Sequence, residues 1–168
     1  DLETYSSEDI TSVGLYKYVQ SPDFEILLFG YAIDGGKVTV IDVAQGEKIP
    51  IKIVRLLTDK SVKKRAHNAL FEWYCLSKYL CMDRQTSVKW LNQWDDTMLH
   101  ALYCGYPASL AAVGKAIGLP QDKQKMTAGR ALIKLFCVPR KPTKNDNRTR
   151  IRPADEPDLT RAPCGAAC

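Results

Sequence analysis

No apolar run in the 168 residues approaches the roughly 20 residues that a membrane-spanning helix needs. The opening DLETYSSED has neither a basic start nor an apolar segment behind it, so no signal peptide is expected. No CxxC pair occurs, and the chain has only two histidines, His67 and His100, far apart and without cysteine or carboxylate spacing. A structural zinc site is therefore not expected. GxSxG elbows and P-loops are missing too, which removes the commonest signatures of serine hydrolases and nucleotide triphosphatases. There is no internal repeat. Large apolar residues become scarce after Val138.

What is present describes a soluble globular chain. Hydrophobic residues make up 45% and charged residues 26%, and the length suits one domain, or one domain and a tail. Four of the six cysteines (Cys75, Cys81, Cys104 and Cys137) stand in apolar segments, whereas Cys164 and Cys168 do not. This usage predicts reduced thiols acting as small hydrophobes. The net charge of +5 hides an asymmetry: residues 1–59 carry 5 Lys/Arg and 10 Asp/Glu, and residues 60–168 carry 19 and 9. An acidic front beside a basic back suits a metal site next to a polyanion-binding surface, and equally suits a solvated surface.

The pattern predicts strands before helices. Residues 24–33 and 37–43, joined through Asp34-Gly35-Gly36, read as a β-hairpin, and the stretch before them as a loop with a short helical or extended piece. Residues 50–57 have helical spacing, and 62–67 suit a short strand. Helices are predicted over 69–81, 96–103, 109–117 and 127–137, the third closed by Gly118 and the last ended by Pro139. Together these give an α/β fold, a mixed sheet covered by helices. The compact domain is expected over 1–138. Residues 139–168, Pro-rich with six Lys/Arg against one Asp in 140–152, are expected to form a loose basic tail.

Asp1-x-Glu3 sets two carboxylates on the same side of an extended chain, a pair able to hold a hard divalent cation. Asn68 stands at a predicted strand-to-helix boundary, where it could be an N-cap. Glu72 follows one turn later, where it could be a solvated first-turn carboxylate favoured by the helix dipole; in an otherwise apolar helix, a carboxylate pointing toward the core needs a partner, and a metal is one such partner. Lys60, Lys63, Lys64 and Arg65 form a basic run just before Asn68, a solvated face by default and a phosphate contact by position. Trp73, Trp90 and Trp94 read as core or interface residues.

In order and spacing these residues resemble a known family. Asp1-Leu2-Glu3-Thr4 is similar to the first motif, D-x-E-T, of the DEDD 3′–5′ exonucleases, and Asn68-x3-Glu72 to the second, N-x3-D. The segments from Trp94 to Leu99, Ala101 to Leu119 and Gly129 to Cys137 resemble the proofreading domains of phage and prophage family A DNA polymerases. The resemblance covers residues 1–152. It implies a ribonuclease-H-like α/β fold and hydrolysis of the 3′-terminal phosphodiester of single-stranded DNA in a bacterial host cytoplasm. It also implies two Mg²⁺ or Mn²⁺ ions held by Asp1, Glu3 and Glu72, a terminal-nucleotide pocket lined by Thr4, Asn68 and Phe71, and a polymerase domain elsewhere in the full-length chain.

Two departures stand out. Glu72 replaces the usual Asp, and the third motif, Y-x3-D, is not found where the family has it. Tyr5-x3-Asp9 and Tyr79-x3-Asp83 fit the string but stand in the wrong place. The expectation is an enzyme fragment cut at both ends, weak or inactive as it stands. The alternative is a catalytically impaired module that binds DNA 3′ ends.

Overall fold

A computed structural model describes residues 1–120 and 128–156. In chain order the first elements are β1 (Leu2–Tyr5), α1 (Ile10–Gln20), β2 (Glu25–Tyr31), β3 (Thr39–Asp42), α2 (Ile51–Thr58) and β4 (Lys64–Ala66). Then come α3 (Leu70–Tyr79), α4 (Arg84–Leu91), β5 (Trp94–Asp96), α5 (Thr97–Tyr103), α6 (Leu110–Ala116) and α7 (Ala128–Phe136). The chain divides into two compact units, one of Asp1–Ile49 with the segment from Met126 onward, the other of Pro50–Lys125. The α/β class read from the pattern holds, but the single mixed sheet expected with it does not form, because no ladder joins the antiparallel strands to the parallel pair. The strands form two sheets, an antiparallel one ordered β1-β2-β3 and a parallel pair β4-β5.

In the first unit the predicted hairpin is present, with a turn closed by Gly36 N–H donating to Ile33 O at 2.8 Å. The β1–β2 ladder reaches the first residue, where Asp1 and Gly30 exchange both main-chain hydrogen bonds at 2.9 Å. Between Glu3 and Thr4 the register steps from Leu28 to Ile26, leaving Leu27 as a bulge. Alternation along β1 then decides what each side chain meets. Thr4 faces α1, its hydroxyl 2.8 Å from that of Tyr18. Tyr5 faces the other way, in a buried cluster with Leu27, Phe136 and Ile151.

Residues 6–23 hold an element that their sequence only hinted at. Asp9 caps α1, accepting from Thr11 N–H at 2.9 Å, and Gly14 breaks the helix with φ +78°, a region open to glycine at little cost. The kink scrambles the apolar spacing, which is why no helical period shows there.

The segment read as a tail is in part folded. Over residues 139–156, Ile151 is buried in the core of the first unit, and Arg150 lies 3.8 Å over the Tyr5 ring while pairing with Glu25 at 2.7 Å. The boundary placed at 138 followed the loss of apolar residues, but one well-placed isoleucine and one arginine stacking on an aromatic suffice to dock a short segment. Residues 157–168, with Cys164 and Cys168, lie outside the described residues.

The second unit is built around α3. Trp73, Cys75 and Leu76 are buried, and Trp73 Nε1 donates to Ser87 O of α4 at 2.8 Å. Trp90 Nε1 donates to Leu57 O at 2.7 Å, with its ring edge-on to Trp94 at 5.1 Å. Trp73 and Trp90 are thus core residues whose N–H groups are satisfied, as buried indoles require. α6 ends as its glycine predicts. Gly118, at φ +71°, donates to Lys115 O at 3.1 Å, and Leu119 to Gly114 O at 2.9 Å, the pair of bonds of a Schellman cap. Helix α4 and strand β5 were not expected: α4 is short, with Asp83 as its cap, and a three-residue strand shows no period.

Ile151→Ala should therefore destabilise the first unit by about 2–5 kcal/mol in urea denaturation, as truncation of a buried aliphatic does. Exposed Arg152→Ala should stay within about 0.5 kcal/mol. Equal, small effects would mean that residues 139–156 do not belong to that core.

Candidate functional site

The candidate residues fall in both units, Asp1, Glu3 and Thr4 in the first and Asn68, Phe71 and Glu72 in the second. On β1, Asp1 and Glu3 share a face by alternation. Asp1 is exposed, and its Oδ1 accepts from Leu2 N–H at 3.1 Å. Glu3 is half-buried, and the Cys137 thiol, just past α7, lies 3.7 Å from its Oε2 as a donor. Burial, with the adjacent Glu3 charge, pushes the Cys137 thiol up to about 12, so it stays protonated and able to donate. Thr4 is on the opposite face, buried, with its hydroxyl engaged by Tyr18. The structure thus gives the Thr4 side chain an interior partner rather than a place beside Glu3.

In the second unit the strand-to-helix corner after β4 carries the other three. Asn68 is exposed and has φ +66°, a left-handed conformation that asparagine tolerates better than most residues. The position that caps α3 is Ala69, which offers no side-chain acceptor. The main-chain amides there are satisfied from β5 instead, Asn68 N–H by Asp96 Oδ1 at 2.9 Å and Ala69 N–H by Asp96 Oδ2 at 3.0 Å. The N-cap role open to Asn68 is therefore filled by Asp96. Phe71 is half-buried on the first turn.

Glu72 is buried, 5% exposed, and its Oε2 has no hydrogen-bond partner. Burial raises its pKa, and the like charge of Asp96 adds to the rise. It also helps hold up the Cys75 thiol, which burial has already raised. An unsatisfied buried carboxylate oxygen costs on the order of 1–3 kcal/mol or more. A cation is one ligand that would remove that cost, and carboxylate oxygens are the hard donors that Mg²⁺ or Mn²⁺ takes. In donor chemistry the residues fit the metals that the resemblance implies. Among the described residues, however, no group of three or more His, Cys, Asp or Glu side chains is gathered as a metal centre.

The remaining candidates resolve individually. Lys64 does not face solvent. Its Nζ donates to Asp59 O at 2.6 Å, Val62 O at 2.8 Å and Gln93 Oε1 at 2.6 Å, which occupies all three protons of a buried ammonium. Arg65 pairs with Asp95 at 2.8 Å, and His100 lies 3.0 Å from the same Asp95. His67 has Nε2 2.8 Å from Ala108 O, so Nε2 carries the proton, and its Nδ1 lies 3.2 Å from Thr97 Oγ1. Both ring nitrogens are used in fastening the corner. Asp9 and Asp83 are helix caps, exposed and with lowered pKa through bonds from Thr11 and Thr86, which accounts for the two misplaced Y-x3-D strings. The four described cysteines are free thiols. Asp96 went unnoticed in the sequence because its role depends on β4 and β5 being neighbours, which a three-residue strand does not announce.

The sign of the Glu72 shift makes a stability prediction. A carboxyl whose pKa is raised on folding contributes most below its unfolded value, and that contribution is lost as pH rises through the folded value. Without metal, Glu72→Gln should melt higher than wild type at pH 7–8, with the difference shrinking toward pH 4. Thermal melts across that range check it. A variant that melts lower throughout would mean that the ionised Glu72 has a stabilising partner.

The chain is similar to a DNA polymerase of Bacillus phage SP02, 43% identical over 159 residues. The match takes in 94% of this chain and 24% of that polymerase, so the chain spans about a quarter of the relative's length. No protein-family model and no solved structure matches. Among the described residues no helix is long and apolar enough to cross a membrane.

Proposed function

We propose that this chain is the 3′–5′ exonuclease-type segment of a phage-type DNA polymerase, acting on the 3′ end of single-stranded DNA in the host cytoplasm. The observation that carries the reading is Glu72, a buried carboxylate with an orphaned oxygen, placed four residues after an exposed Asn68 in a chain similar to a phage DNA polymerase. The strand senses support a ribonuclease-H-like fold, antiparallel in the β1-β2-β3 sheet and parallel in the separate β4-β5 pair.

On this reading Asp1, Glu3 and Glu72 would hold two divalent cations. Such a pair supplies a lowered water pKa and stabilisation of the leaving 3′ oxygen. The chain's own residues do the rest. Asp1 and Glu3 present oxygen donors from one face of a strand whose register is fixed by its ladder to β2. Glu72 brings negative charge into a dry setting, where it interacts with a cation more strongly than in water. Asn68 offers an amide to the terminal nucleotide, and Phe71 a ring on which an unpaired base stacks, worth roughly 1–3 kcal/mol. With the first amides of the α3 corner taken by Asp96, recognition there falls to these side chains.

A second reading has its own observation. The partner that reaches Glu3 from the end of α7 is a thiol, not a carboxylate, and the described residues gather no three-ligand centre. This favours a module that binds DNA 3′ ends without cleaving them.

A 5′-labelled single-stranded oligonucleotide with Mg²⁺ separates the two. The exonuclease reading expects a ladder shortening one nucleotide at a time from the 3′ end, slowed on the order of 100-fold or more in Asp1→Ala or Glu72→Ala, as loss of charge-stabilising groups produces. Saturable binding with no ladder would establish the binding module. Neither binding nor cleavage would overturn both.

A further inference from the structure

We propose that Asp96 is the positioning residue of the candidate site, setting the conformation of Asn68 and the placement of Glu72 from the neighbouring strand. The inference rests on reading Asn68 and Glu72 as site residues and deepens that reading. A helix start leaves amide groups without intrahelical partners, and the usual remedy is a side chain at the cap. Helix α3 lacks that remedy, because its cap is Ala69 and the residue before it, Asn68, is turned into the left-handed region. The remedy comes from the parallel partner strand, where Ala66 stands opposite Asp96.

The single Asp96 carboxylate serves three amides. Oδ1 accepts from Asn68 and Met98, each at 2.9 Å, and Oδ2 from Ala69 at 3.0 Å. It thereby caps its own helix α5 and reaches across to the corner of α3. Bonds to an ionised acceptor are the stronger kind, which suits a residue that holds a non-glycine in a disfavoured conformation. The next residue adds to the hold: Thr97 Oγ1 lies 3.3 Å from Ala66 O and 3.2 Å from His67 Nδ1, two acceptors between which its one proton is shared. Residues 66–69 are thus fastened by two consecutive residues at the junction of β5 and α5. The direction in which Asn68 points, and the start of the helix that carries Glu72, follow from that fastening.

The two duties of Asp96 can be separated. In Asp96→Ser the hydroxyl still caps α5 through Met98 N–H but is too short to reach α3. In Asp96→Asn one oxygen remains, and the amide group sets a donor against one of the α3 amides. We expect Asp96→Ser to exchange the Asn68 and Ala69 amide protons faster and to weaken binding of a fluorescent oligonucleotide with a free 3′ hydroxyl about tenfold, for two lost hydrogen bonds. Asp96→Asn should fall between it and wild type. The probe is read by anisotropy in the 168-residue chain.

Unchanged affinity in folded Asp96→Ser, even with a lower melting temperature, would reduce Asp96 to a helix cap and overturn the proposal while leaving the functional reading intact. Should that variant not fold, wild-type affinity in Asp96→Asn would overturn it in the same way. A wild-type chain that ignores 3′ ends would overturn the functional reading and this proposal with it.

Discussion

Taking a carboxylate out of water is expensive unless something replaces the water. Glu72 has been taken out of water on α3, and one of its oxygens has no replacement. The rest of the second unit holds that arrangement in place. Trp73, Cys75 and Leu76 pack α3 from within, and the indole N–H of Trp73 ties it to α4. At the N-terminal end Asp96 satisfies the amides that α3 cannot satisfy itself. On the proposed reading, a divalent cation is the partner that this oxygen lacks.

The same accounting changes the meaning of the chain's positive charge. Read as a string, the basic back half suggests a surface ready for a polyanion. In the fold many of these cations are already committed. Lys64 is buried on three oxygen acceptors. Arg140 and Arg148 both converge on Asp146, whose carboxyl they hold down at about 2, and Arg150 is shared between Glu25 and the face of Tyr5. Arg140 and Arg148 are engaged within the 139–156 segment itself, Arg150 fastens that segment to β1 and β2, and Lys64 ties β4 to the residue before β5. Any attraction for a nucleic acid backbone has to come from the cations left over, such as Lys63 and Lys141, both exposed.

How much of this could be read beforehand depended on range. Elements with long periods or strong end signals were legible: the hairpin of β2 and β3, α3, and α6 with its terminal Gly118. Interactions between residues close in sequence were legible too, such as the shared face of Asp1 and Glu3. What escaped were partnerships set by which distant elements lie side by side. Asp96 acting on Asn68, Lys64 on Gln93 and Cys137 on Glu3 each join residues at least 28 positions apart. A string records the chemistry of such residues but not which strands lie side by side. In the sequence, Glu72 inside ALFEWYCL could be a solvated first-turn carboxylate or a core-facing one, and its burial chooses the second; the interior hydrogen bond of Thr4 followed from packing with α1.

The central claim is that Glu72 and the Asp1–Glu3 pair are metal-holding carboxylates, and it can be tested without any DNA. Mn²⁺ titration followed by the loss of the free-ion electron paramagnetic resonance signal measures it directly. The account predicts saturable uptake approaching two ions per chain, with at least one site lost in Glu72→Gln. No saturable uptake, or uptake that Glu72→Gln leaves unchanged, would contradict it.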